Sequence, residues 1–326
     1  MADAQTSEGN RVTSSKPGQG LGFNPLEFRM TLHWPRMLSG TSFWTSHIPF
    51  AFAAMEMIRP AVLVELGTMG GDSYCGFCQA VVELELPTRC TAIDTWKGDL
   101  HTGHYPEEVF RIVSGYHDPR YGTFSRLLRS EFDRAVVEFP DGSIDLLHFD
   151  GCHTYEGVKH DFETWLPKLS RSAVVLFHDT KNGGEGFGVG RFWEELSPGY
   201  PNFEFHHGYG LGVLAVGADV SPVFSAFLQF AHEHTDLIRG YFSLLGRGIE
   251  TYNLLMQTGT ELQRQHGLVD DWARNAGQAR AAGKPDAALA YSEPCEYARR
   301  LSERLRVMIK ADLDLRQTAS RQSPPG

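Results

Sequence analysis

The stretch HFDGCHTYEGVKHD, residues 148–161, follows the apolar run SIDLLHF and crowds Asp150, His153, Tyr155, Glu156, His160 and Asp161 into one short span. A second set, His178 and Asp179, closes the apolar run AVVLFH. Carboxylates beside an imidazole suit a divalent cation, and an imidazole can take a proton near neutral pH. A third set lies in VELGTMGGDS, with Glu65, Gly67, Thr68, Gly71 and Ser73, and continues into AIDTW, with Asp94 and Thr95. Glycines let the backbone turn tightly and approach a ligand. A carboxylate ending the next strand is placed to accept hydrogen bonds from a ribose hydroxyl pair. A dinucleotide fingerprint would need glycine where Met69 stands, which argues against NAD.

These groups need a scaffold that delivers them together. AVLVEL, CTAID, GTFSRLL, SIDLLHF and AVVLFH read as strands, with helical spacing in YCGFCQAVVELE and TYEGVKHDFETWLPKL. Alternating strands and helices imply a mostly parallel sheet covered on both faces. NFEFHH and LGVLAVG read as a closing hairpin. Ligands of such sheets bind at the carboxyl edge of the strands. From about residue 221 only helical patterns remain, the last opening at Ser292. The expected division is a disordered leader 1–22, a lid-like aromatic segment and first helix 23–60, the α/β domain 61–220, a helical appendage 221–318 and a disordered tail 319–326. Trp34, Phe43, Trp44 and His47 are expected in that lid, together with Trp96, His101, His104 and Tyr105 from the insert after the second strand. GGEGFGVGRFW reads as a glycine-rich flap.

Composition narrows the function classes. A net charge of −10 argues against a nucleic-acid surface. The longest apolar stretch is too short to span a bilayer and contains Glu56. The first twenty residues lack the apolar core of a signal peptide, so a cytoplasmic protein is expected. Five cysteines make no disulfide framework, and Cys75 and Cys78 of CGFC read as small buried helix residues.

VELGTMGGDS followed by AIDTW resembles the class I S-adenosylmethionine-dependent methyltransferases over about residues 45–217. The resemblance implies an α/β, doubly wound, mostly parallel sheet with an antiparallel last strand (a Rossmann-like methyltransferase fold), here with a C-terminal helical region added. It implies that Glu65 and the Gly67–Gly71 loop, with Thr68 and Ser73, cradle the amino-acid part of S-adenosylmethionine. Asp94 and Thr95 would lie at its ribose, and Ser130 would border the adenine. It also makes the strands ending at Phe149 and His178 neighbours. Metal-dependent small-molecule O-methyltransferases, such as catechol and macrolide-sugar enzymes, carry acidic ligands at the positions of Asp150 and Asp179. The implied metal set is Asp150, His178 and Asp179 around a divalent cation, Mg²⁺ foremost. His153, where the catechol enzymes place a lysine, would be the catalytic base beside Asp150.

The implied partner is a small hydroxylated acceptor, with a sugar favoured; a homo-oligomer through the C-terminal helices is the further expectation. A cephalosporin-hydroxylase-like enzyme shares the metal corner and stands as the alternative, with a non-catalytic assembly module as the third reading. Plainer roles compete at several positions. Asp150 can cap the following helix, His148 can be a hydrogen-bonded core residue, and His160 and Asp161 can be surface or packing residues.

Overall fold

The computed structural model describes residues 23–40, 44–99 and 101–282. Seven strands form one sheet: β1 (Val62–Leu66), β2 (Arg89–Asp94), β3 (Ser125–Arg129), β4 (Ile144–Phe149), β5 (Leu169–His178), β6 (Asn202–Phe205) and β7 (Leu211–Ala215). Their order is β3-β2-β1-β4-β5-β7-β6. The first five are parallel, and β7 runs antiparallel to both β5 and β6. This is the doubly wound fold with an antiparallel last strand. The helices are α1 (Ile48–Ile58), α2 (Asp72–Glu83), α3 (Glu107–Tyr121), α4 (Phe132–Ala135), α5 (Tyr155–Trp165), α6 (Val189–Leu196), α7 (Pro222–Glu233) and α8 (Thr235–Ala281).

Side chains alternate between sheet faces with a period of two. Leu63, Leu146, Val174 and Leu176 therefore join the core beneath α1 and α2, while Val64, Leu147, Val175 and Phe177 join the core beneath α5 and α6. Pairing Phe149 with Phe177 in β4 and β5 sets Asp150 and His178 side by side at the carboxyl edge. Glu65, His148 and His178 fall on the α1–α2 face, among buried aromatic residues rather than solvent.

Several expected elements differ. The region from 221 is not a mere appendage. Phe224, Phe227 and Phe230 of α7 and Ile238, Phe242 and Ile249 of α8 belong to the sheet core, because this face carries aromatic residues such as Phe203 and Phe205 that need cover. The run SPVFSAFLQFAHEHTDLIRGYFSLL forms two helices, broken at His234 (φ −127°, ψ 45°). Helix α3 begins at the end of the insert after the second strand, where the sequence analysis names no helix. The helix expected from Ser292, the leader 1–22, the tail and Phe43 lie outside the described residues.

Helix α5 is capped by Thr154, whose side chain accepts a hydrogen bond from the Gly157 N–H at 3.1 Å. Asp150 is thus not the cap. Thr154→Ala should lower stability by about 1 kcal/mol, seen as a fall in Tm of about 2–4 °C.

Candidate active site

At the carboxyl edge a cavity of about 790 Å³ opens, lined by Gly67–Gly70, Asp94, Thr95, Asp150, His153, His178 and Asp179 among others. Its first wall is the β1–α2 loop. Gly67 has φ +87°, and an added Cβ would lie 2.1 Å from the Asp150 carbonyl oxygen, so only glycine lets the two loops meet. Asp94 holds the loop from the side: Oδ2 accepts the N–H groups of Thr68 and Met69, both at 2.9 Å, and Oδ1 accepts that of Trp96 at 2.6 Å. Met69 (φ +44°) and Trp96 (φ +50°) are left-handed non-glycine residues, and Trp96 Nε1 donates to the Met69 carbonyl at 3.0 Å. Three bonds on a carboxylate with about four acceptor sites leave room for about one further donor, which narrows the expected grip on a hydroxyl pair.

Glu65 is placed differently from the expectation. The strand period turns it beneath the loop, fully buried and off the cavity wall. Oε2 pairs with His148 Nδ1 at 2.8 Å, and Oε1 accepts the Thr68 hydroxyl at 3.0 Å. Trp44 Nε1 donates to His148 Nε2 at 3.1 Å, so the His148 proton sits on Nδ1 and is given to Glu65. Burial raises the Glu65 carboxyl, with His148 and Ser73 opposing. Glu65 therefore props Thr68 from beneath the loop, and His148 is a hydrogen-bonded core residue.

Gly71 (φ +82°) opens α2 and lies behind the lining residues, whereas Thr68, Ser73 and Thr95 line the cavity. Ser130 does not line it. Its N–H is spent on the Asp94 carbonyl and its hydroxyl on the Glu131 carbonyl, and Glu131, Phe132 and Asp133 border the cavity in its place.

The opposite wall gathers Asp150, His178 and Asp179, whose ligand atoms lie within 4.8 Å of one another. His178 Nε2 lies 3.0 Å from the Gly208 carbonyl. A carbonyl only accepts, so the proton is on Nε2 and Nδ1 is directed at Asp150 Oδ1 (3.0 Å) and Asp179 Oδ2 (3.6 Å). A lone pair facing two carboxylates requires a proton or a cation between them. A backbone carbonyl fixing the far ring nitrogen is also how metal-binding histidines are held. Burial lowers the His178 imidazole, but Asp150 and Asp179 outweigh it and raise it above its ordinary value. Burial likewise opposes ionisation of Asp150, yet His178 and His153 hold its carboxyl well below the usual range. Asp179 has φ +64°, a strained backbone that the site itself must maintain.

His153 stands between three carboxylates. Nε2 is 3.1 Å from Asp179 Oδ2 and 3.9 Å from Asp150 Oδ1, and Nδ1 is 3.5 Å from Asp99 Oδ2. Burial would lower its imidazole, but Asp150, Asp179 and Asp99 push it up to about 12. With these carboxylates uncompensated, the protonated form of His153 is favoured.

The insert after β2 lies over this corner. Gly98–Asp99 and Gly103–His104 form a short antiparallel ladder. Asp99 Oδ1 accepts the N–H groups of His101 and Thr102 at 2.8 and 2.7 Å. His101 and Phe187, from the glycine-rich flap, pack with ring centroids 4.6 Å apart, each about 5 Å from His153 (5.5 and 5.0 Å). Of the aromatic segment upstream, Trp44 borders the cavity although it is buried. Trp44 and His47 are buried beneath the sheet edge, Trp96 is core, and Trp34 is half exposed against Tyr252 of α8. Cys75 and Cys78 are buried in α2 with thiols raised chiefly by burial, in keeping with packing residues.

Residues 64–180 match the family described as Methyltransferase domain. This part of the chain is therefore similar to a methyltransferase domain. The match runs from β1 to the residue after Asp179 and so takes in the loop, Asp94 and the Asp150–His178–Asp179 corner. The chain is also 44% identical over 220 residues to the uncharacterized protein y4gI of Sinorhizobium fredii (strain NBRC 101917 / NGR234), covering 66% of this chain and 24% of that protein. It thus spans about a quarter of the length of this curated relative. Among solved structures it is similar to the O-methyltransferase TomG from Streptomyces achromogenes, involved in tomaymycin synthesis and solved in complex with SAM (12% identity, 60% of this chain and 97% of that one, TM-score 0.41). It is likewise similar to a methyltransferase from Geobacter sulfurreducens (16% identity, 53% and 80%, TM-score 0.41).

Sequence reasoning missed some of the cavity residues. Asp99 was hidden in the insert, although the spacing of GDLHTGHY puts a carboxylate and two imidazoles within six residues. Asp161 was set aside because helical periodicity cannot separate a packing position from one facing a cavity. No helix of the described residues is long and apolar enough to cross a membrane.

Proposed function

We propose that the chain is an S-adenosylmethionine-dependent O-methyltransferase, assisted by a divalent cation, that methylates a hydroxyl of a small acceptor, a sugar-bearing one favoured. One observation carries this reading: the Asp150–His178–Asp179 donor set faces the Gly67–Gly70 loop and Asp94 across one cavity. The donor set fits a cation, since His178 turns an unshared nitrogen lone pair toward two carboxylates. Asp150, His178 and Asp179 would hold it, and its chemistry there would be that of a Lewis acid that lowers the pKa of an acceptor hydroxyl.

The sulfonium is an activated methyl donor, so the protein's task is alignment and removal of one proton. The Asp94-locked loop fixes the donor end, and the one acceptor site left on Asp94 suits a ribose hydroxyl. Asp150 and Asp179, two of the three carboxylates around His153, would also hold the cation. Sharing would weaken their pull on the ring proton, and His153 Nε2 would then be able to accept the hydroxyl proton, with Asp99 steadying the ring from the Nδ1 side. Phe187, His101 and the insert cover the corner and exclude water; Phe187 also offers a face for a sugar ring.

A second reading rests on the same corner. With His153 counted, two imidazoles meet carboxylates, a donor set also used by non-haem iron oxygenases. Product mass separates the two. Incubation with methyl-labelled S-adenosylmethionine, Mg²⁺ and a panel of glycosides should give a labelled product heavier by one CH₂ unit. In a parallel incubation with Fe²⁺, O₂ and a two-electron co-reductant, a product heavier by one oxygen atom would favour the oxygenase reading.

A further inference from the structure

Behind His178, on the side away from the carboxylates, the turn between β6 and β7 carries three successive residues of left-handed backbone. They are Gly208 (φ +54°), Tyr209 (φ +64°) and Gly210 (φ +90°), and Tyr209 lines the cavity. A non-glycine residue such as Tyr209 keeps this conformation only where its surroundings hold it. One hold is the Lys181 N–H, which donates to the Tyr209 carbonyl at 2.7 Å. The other is on the Gly208 carbonyl, and it comes from His47.

His47 Nε2 lies 3.1 Å from the Gly208 oxygen, and His178 Nε2 lies 3.0 Å from the same atom. A carbonyl oxygen only accepts and has two lone pairs, so both imidazoles donate to it and saturate it. His47 is fully buried. Burial foremost, then the charges of His178 and His207, hold its imidazole well below its ordinary value. A neutral imidazole has a single N–H. With that proton given to Gly208, Nδ1 is left buried without a hydrogen-bond partner among the described residues. An unpaired buried acceptor is costly and calls for an explanation; the bond to Gly208 is the one polar contact that the ring keeps.

Two glycines show that this placement is built. An added Cβ at Gly208 would lie 2.3 Å from Ser46 Oγ and 2.8 Å from His47 Nε2, so only glycine lets the carbonyl reach the imidazole. An added Cβ at Gly246 of α8 would lie 2.2 Å from the Ser46 carbonyl oxygen, so α8 backs the Thr45–His47 turn directly. The His47 ring is further wedged between His207 and His178, at centroid distances of 4.6 and 5.6 Å.

We propose that His47 is a positioning residue for the cation site: by holding the Gly208 carbonyl it keeps His178 in the tautomer and orientation that turn Nδ1 toward Asp150 and Asp179. It acts through Gly208 and His178. This deepens the cation-assisted reading and rests on it. It also gives the chain after residue 221 a part in the site, because α8 backs the turn that carries His47.

The test is calorimetric titration of the full chain with Mg²⁺ and with Mn²⁺, in three variants, with S-adenosylhomocysteine affinity measured alongside. His47→Phe keeps a ring but has no donor. His47→Asn carries an amide nitrogen near the place of Nδ1, and His47→Gln carries one near the place of Nε2. Cation affinity should fall about 10- to 100-fold in His47→Phe and His47→Asn, the usual scale for losing a group that orients a metal ligand. His47→Gln should recover most of it. Affinity for S-adenosylhomocysteine should stay as in wild type, because Asp94 anchors that loop on the other wall. Wild-type cation affinity in His47→Phe, or a His47→Gln variant as weak as His47→Asn, would overturn the assignment. So would joint loss of cation and S-adenosylhomocysteine binding in both amide variants, which would make His47 a residue of the fold alone. A wild type that binds S-adenosylhomocysteine but no divalent cation would instead defeat the cation reading itself.

Discussion

Asp94→Ala should abolish measurable binding of S-adenosylhomocysteine and destabilise the domain. The carboxylate receives three backbone N–H groups from two different loops, so its removal strands Thr68, Met69 and Trp96 together. Hydrogen bonds to charged acceptors are worth more than neutral ones, and after partial rehydration of the amides the loss is on the order of 3 kcal/mol. Met69 and Trp96 sit in left-handed conformations that the bonds to Asp94 help to maintain. Asp94→Asn should rescue poorly, since its amide nitrogen must point at N–H groups wherever the side chain is turned. Thermal unfolding and amide exchange at residues 67–71 check the structural half, and affinity for the cofactor product checks the other. A loss of affinity on the order of 100-fold or more is expected for both variants. Unchanged exchange in this loop would show that Asp94 is not its anchor.

The second large effect belongs to Asp150. Asp150→Ala should lower turnover by roughly 1000-fold, the scale of electrostatic stabilisation lost with one key group, while affinity for S-adenosylhomocysteine stays within a few-fold. The separation is expected because Asp150 faces His178 and His153, whereas the cofactor loop is anchored by Asp94 and propped by Glu65. Cation binding should disappear in the same variant. Its pH dependence in wild type has a definite sign. Asp150 and Asp179 raise the His178 imidazole despite its burial, so a proton competes for Nδ1 over a wider range than for an ordinary histidine. Cation affinity must therefore rise with pH, and binding must release protons. Titration calorimetry in buffers of different ionisation enthalpy measures that release. Cation binding that is independent of pH would remove His178 from the ligand set.

Much of this arrangement is legible in the sequence because two local rules act together. Short apolar runs ending in Leu66, Asp94, Phe149 and His178 announce parallel strands, and parallel strands deliver their last residues to one edge. That places Asp150, His178 and Asp179 together without knowledge of any side-chain angle. Burial within the edge is what the sequence conceals. Glu65 lies one residue before the turn, yet the two-residue period of the strand rotates it under α1 and α2, where His148 meets it and Trp44 in turn meets His148. The Glu65–His148 and Trp44–His148 pairs are 83 and 104 residues apart, and no local pattern couples them.

The protonation of His153 is hidden for a similar reason. Its state depends on Asp99, brought from the insert, as well as on its neighbour Asp150. Helix α3 escaped notice because Gly115 and Pro119 interrupt its pattern. A structureless stretch from 95 to 123 would have been longer than loops in compact domains usually are, and that length was the available signal. The helices after residue 221 looked detachable because their charged positions dominate the pattern; their aromatic positions are what close the sheet.

The most direct measurement is calorimetric titration of the full chain with S-adenosylhomocysteine, once with Mg²⁺ and once after chelation. Saturable one-to-one binding, lost in Asp94→Ala and retained in Asp150→Ala, is the expected result. The absence of binding in both conditions would contradict the assignment of this cavity to S-adenosylmethionine.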